Sequence, residues 1–89
     1  MVLAIIPKGP PERICEEIRR EYLNALAKGV SRFKFIVITD LPIRDWIDYV
    51  KCVLETNIAA TIRVDQVEPD SDEVKYVLED PKVIKIPRE

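Results

Sequence analysis

Three aspartates and one lysine carry the clearest chemistry in this sequence. Asp40 closes the run KFIVITD, Asp70 and Asp72 bracket Ser71 in EPDSDE, and Lys8 follows the apolar run VLAIIP. Carboxylates are hard oxygen ligands, so such a set beside a lysine could hold Mg²⁺ against a phosphate. Each of these residues directly follows a strand-like run. In open parallel sheets, ligands bind outside the carboxyl ends of the strands. The competing role is structural. Aspartate at a helix start accepts from free N–H groups or complements the dipole. Asp40 stands two residues before Pro42 and Asp70 three before Glu73. Asp40 and Asp70 therefore read as helix caps, and Asp72 as a first-turn acid.

The chain has no histidine. That removes the commonest general acid/base near neutral pH and the commonest metal ligand. Cys15 and Cys52 lie 37 residues apart with no CxxC pair, which excludes zinc-ribbon and thioredoxin-type motifs. Cys15 borders the apolar stripe of a first helix, and Cys52 the stripe of a second. A disulfide between them is conceivable if those helices are neighbours. The loop PKGPP has one glycine, and its prolines lack the N–H donors of a phosphate-binding loop. No complete catalytic set emerges, no cofactor is expected, and the reading leans away from an enzyme.

The elements that place these residues follow from hydrophobic period. VLAIIP is apolar at both alternating sets, as in a strand covered on both faces. From Pro11 to Lys28 the apolar positions Ile14, Ile18, Tyr22, Ala25 and Leu26 keep helical spacing, and Gly29 suits the cap. SRFKFIVITD is a second strand. Phe33, Phe35 and Val37 share one face and are expected in the core. Arg32, Lys34, Ile36 and Ile38 share the other. That mixed face, apolar within and basic at its rim, is the predicted interaction face.

LPIRDWIDYVKCVLETN reads as one long second helix that buries Ile43, Trp46, Ile47, Val50, Val53 and Leu54 and stops at Asn57. Ala60, Ile62 and Val64 alternate with Thr61, Arg63 and Asp65, which describes an edge or one-sided third strand. Residues 70–79 fit a short helix, with a hairpin arm as the competing reading, and KVIKIP closes the chain as a strand. The predicted fold is a single α/β domain over residues 1–89, of order β-α-β-α-β-(α)-β. It has a four-stranded, mostly parallel or mixed sheet, two long helices and an optional short third.

Composition bounds the rest. The chain has 89 residues, 47% hydrophobic and 34% charged, which describes a folded domain with a modest core. Twelve Ile and ten Val stand against one Gln, two Asn and one Met, a balance that suits a thermophile. No apolar run reaches the roughly 20 residues of a membrane helix. The N-terminus lacks a basic leader, so a cytoplasmic location is expected. With 14 basic and 16 acidic residues the net charge is −2, which supplies no global field for nucleic acid.

Three short likenesses add expectations. The triplet Asp70-Ser71-Asp72 resembles the acidic motif of the Toprim nucleic-acid enzymes, which implies a Mg²⁺ site at Asp40, Asp70 and Asp72. RFKFIVI is similar to the aromatic-and-basic strand of RNA-recognition modules. LAKGVSRFKFIVI and IRDWIDYVKCV resemble parts of Alba, the archaeal chromatin and RNA-binding family of β-α-β-α-β-β topology. The Alba likeness implies nucleic-acid contact through Lys8, Arg32 and Lys34. From the residues themselves, the leading expectation is a non-enzymatic structural or accessory subunit. The two strands that want cover on both faces, with few helices to supply it, point to a homo-oligomer, a dimer before others, or a subunit of a larger complex.

Overall fold

A computed structural model describes residues 1–56 and 60–88. Its order is β1 (Val2–Ile5), α1 (Pro11–Ala27), β2 (Arg32–Ile38), α2 (Ile43–Trp46), a 3-10 turn (Ile47–Tyr49), α3 (Lys51–Glu55), β3 (Thr61–Val67), α4 (Asp72–Glu79) and β4 (Ile84–Ile86). The four strands form one sheet in the order β3-β2-β1-β4, and every pairing is parallel. The predicted α/β class holds, with a sheet that is parallel throughout. Within residues 70–79, Asp72–Glu79 form helix α4 and not a hairpin arm.

The first two connections step outward one strand at a time, from β1 to β2 to β3. The third crosses the whole sheet, from β3 at one edge to β4 at the other. Strand alternation sorts the side chains into two cores. On one face Leu3, Ile5, Phe33, Phe35, Val37 and Ile86 meet Ile14, Ile18, Tyr22 and Ala25 of α1, and Trp46, Val50 and Val53 of the second helical segment. Tyr22 and Phe33 pack as a tilted aromatic pair, their ring centroids 4.7 Å apart. On the other face Ala4, Ile36 and Ile38 meet Val74 of α4 and Val83. The aromatic strand residues are thus core, as their shared face implied.

α1 begins with proline at its first positions and ends in a Schellman closure. The N–H of Val30 donates to the Ala25 carbonyl and that of Gly29 to the Leu26 carbonyl, both at 3.0 Å. Gly29 supplies the positive φ of 89° that this closure requires.

The predicted second long helix is a correction. The segment is broken into α2, the 3-10 turn and α3, because Trp46 and Val50 both sit at φ −119°, away from helical values. Both flanking aromatics are tethered elsewhere. Trp46 Nε1 donates to Gln66 Oε1 at 3.2 Å, and Tyr49 Oη donates to the Gly9 carbonyl at 2.7 Å. The tighter 3-10 winding shifts the phase of the stripe. Trp46, Val50 and Val53 are buried as predicted, but Ile43 is 60% exposed. The expected stop at Asn57 lies outside the described residues.

Two predicted caps also move. Pro42 occupies the cap of α2, and no side chain caps it. Asp40 stands exposed in the preceding bend, where Thr39 Oγ1 accepts from the Leu41 N–H at 3.2 Å. At α4 the cap is Ser71, not Asp70, and its Oγ accepts from the Glu73 N–H. Cys15 and Cys52 are joined by a disulfide across a Cα–Cα distance of 6.2 Å, tying α1 to α3. The conceivable pairing is therefore made.

Candidate functional surfaces

Lys8, Asp40, Asp70 and Asp72 all lie beyond the carboxyl ends of strands, as their sequence positions implied. The fold does not turn the aspartates into a metal centre. All three are exposed, and among the described residues no group of three or more His, Cys, Asp or Glu could hold a metal ion. Asp72 sits in the first turn of α4, where its charge complements the dipole.

The crossover creates a site that strand order alone can define. β1 and β4 are neighbours, but α1 leaves β1 on one face while α4 reaches β4 from the other. Such a switch point opens a crevice at the carboxyl ends of the two strands. Here it holds a cavity of about 360 Å³ lined by Lys8, Arg13, Ile14, Glu17, Pro87 and Arg88. Gly9 turns the loop at φ 77°, and Tyr49 pins its carbonyl. Arg88 is held by Glu21, with Nη2 to Oε1 at 2.7 Å. With Glu17 in the lining and Glu21 paired to Arg88, three cations meet two carboxylates, which leaves a local basic basin of small positive excess in a chain of net charge −2. The basin could seat a small anion through side chains, though not through the proline-poor backbone donors of a phosphate loop. Sequence reasoning found Lys8 but missed Arg13 and Arg88, since only the pairing of β1 with β4 brings them together.

The predicted interaction face is divided by depth. Ile36 and Ile38 are 5% and 6% exposed beneath α4, so the chain covers its own second face. Arg32 and Lys34 remain at the rim, and Lys34 Nζ lies 3.7 Å from Asp65 Oδ2. Lys8 is far from that rim. Arg32 opens β2, whereas Lys8 follows the end of β1, which is level with Val37. The two are separated by five residues of strand, roughly 17 Å, before the Lys8 loop begins. The three cations implied by the Alba likeness therefore form no single patch. A helix also intervenes between the last two strands, where the Alba order has none.

The two edges of the sheet differ. β4 is a three-residue strand, whereas β3 runs for seven residues, and among the described residues no strand pairs with its outer side. The β3 side chains are half-buried or exposed throughout. Gln66 anchors the end of this edge, donating through Nε2 to the carbonyls of Thr39 at 2.9 Å and Leu41 at 2.7 Å. Arg63 Nε meets Asp65 Oδ2 at 3.1 Å on the opposite face.

The strand order and alternating connections define a small, open, parallel α/β domain, the first four strands of the doubly wound order. Comparison with protein-family models, curated proteins and solved structures finds no match to this chain. No helix among the described residues is long and apolar enough to cross a membrane.

Proposed function

We propose that this protein is a non-enzymatic accessory subunit that works by self-association, as a homodimer or inside a larger assembly. The observation that carries this reading is the β3 edge. Along this seven-residue strand Ile62, Val64 and Gln66 turn their N–H and C=O groups out of the sheet, where no described strand pairs with them, which is a ready template for another chain. The sheet face, which the sequence alone suggested as the partner surface, is closed by α4. The composition and the Cys15–Cys52 bond suit a thermophile's cytosol, where intracellular disulfides occur. Light scattering on the purified chain across a hundredfold concentration range tests the reading. A dimer mass is expected, and a monomer mass at millimolar concentration would overturn it.

A second reading rests on the crevice between β1 and β4. There Lys8, Arg13 and Arg88 favour a small anion as ligand. Titration with inorganic phosphate, followed by backbone amide shifts, is expected to move Gly9 and Arg13 first. Unmoved amides at 10-fold excess over a millimolar dissociation constant, on the order of tens of millimolar phosphate, would count against it.

A further inference from the structure

We infer that the partner on the β3 edge is a second copy of this chain, paired antiparallel about a two-fold axis through Val64. The inference rests on the self-association reading and specifies its geometry. The first argument is hydrogen-bond parity. The Thr61 N–H donates inward to Ser31, and the Val67 carbonyl accepts inward from Thr39. In a parallel pair the residues that bond inward alternate with those that bond outward. Thr61, Arg63, Asp65 and Val67 therefore spend their backbone groups on β2. Ile62, Val64 and Gln66 point theirs out of the sheet.

An axis through Val64 sets Val64 against the partner's Val64 and Ile62 against the partner's Gln66. Only outward-bonding residues then exchange hydrogen bonds. Three such residues on each copy, each donating one bond, give about six across the seam. An axis midway between two residues would oppose outward-bonding residues to ones whose groups are already used, and an axis through Arg63 or Asp65 would set Arg63 against the partner's Arg63 or Asp65 against the partner's Asp65, like charges directly opposite.

The second argument is charge. In the same register Arg63 falls opposite the partner's Asp65, and Asp65 opposite the partner's Arg63. These are the non-hydrogen-bonded pairs, where the side chains approach most closely. Charged residues on an edge normally repel a second strand. Placed with opposite sign on either side of the axis, they select one partner and one register. Arg63 has a side chain 75% exposed, free to swing from its own Asp65 to the partner's, while Lys34 remains beside Asp65. On the other face the half-buried Ile62 and Val64 gain cover. The product is a continuous eight-stranded sheet with β4 at both outer edges.

Charge reversal tests the register. Arg63→Asp alone sets like charges opposite each other twice, and Asp65→Arg alone does the same with the other sign. Each variant is expected to weaken its own dimer at least about tenfold. Mixed one to one, the two variants carry complementary charges at both pairs and should form a heterodimer as tight as the wild-type dimer. Circular dichroism of each variant alone verifies that the monomer is folded. Variants that dimerise as well as the wild type, or that fail to recover on mixing, would overturn the register while leaving self-association standing. A wild-type chain that stays monomeric would overturn both.

Discussion

The two faces of the sheet are covered by unequal means. One face is closed by α1 and the broken α2–α3 segment, where thirteen of the described residues are buried in a single cluster. The other is closed by the eight residues of α4 and the approach to β4, which share a cluster of five. The larger cluster contains the aromatics and the disulfide-linked elements. The smaller has only aliphatic side chains and grades outward into Lys34, Arg63 and Asp65. The difference teaches where the stability of so small a domain resides. The first face holds the chain together, and the second shields an apolar strip from water.

Three expectations would break or sharpen this comparison. The largest belongs to Phe35, fully buried at the centre of the first cluster. Phe35→Ala should cost about 3–5 kcal/mol, read from the urea unfolding midpoint. A loss under 1 kcal/mol would show that the first face is not the principal core. The disulfide comes next. It closes 37 residues of chain and locks α1 to α3 over that same face. Replacing both cysteines with alanine should cost about 3–4 kcal/mol by chain entropy. The thermal midpoint of that variant should no longer respond to reductant. The smallest belongs to the second face. Ser71 caps α4 through one hydrogen bond at 3.3 Å. Ser71→Ala should cost about 1 kcal/mol globally. Hydrogen exchange should quicken chiefly in α4, and an equal effect in α1 would show that the faces are not separable.

Much of this architecture was legible from periodicity. Both alternating sets of β1 are apolar, and the structure covers both faces of that strand. Phe33 and Phe35 were placed in the core by sharing a face with Val37. The alternation of Arg63 and Asp65 with Ile62 and Val64 describes β3 as an edge or one-sided strand, and the sheet order places it at an edge. Local pattern carried each of these, since a strand's side chains alternate whatever the rest of the fold does.

What pattern could not supply was long-range contact. The unbroken apolar stripe from Ile43 to Leu54 gave no sign that Trp46 would reach Gln66, or Tyr49 the Gly9 loop. Those bonds join residues 20 and 40 positions apart and override a local helical preference. Asp40 and Asp70 had cap spacing, but the caps fall two residues after Asp40, at Pro42, and one after Asp70, at Ser71.

The sequence by itself determined the class of the domain, the two faces of β2 and the amphipathic α1, all set by the repeat of a strand or helix. It also placed Lys8 and the aspartates beyond strand ends. Tertiary structure alone decided the strand order. That order set Lys8, Arg13 and Arg88 around one crevice and split Lys8 from Arg32 and Lys34. It also sent α4 over Ile36 and Ile38, and left β3 as the long open edge. The physical reason is that strand order is fixed by which pairings and coverings bury the most apolar surface together. That competition is settled by the whole chain, and no local stretch of residues contains its outcome.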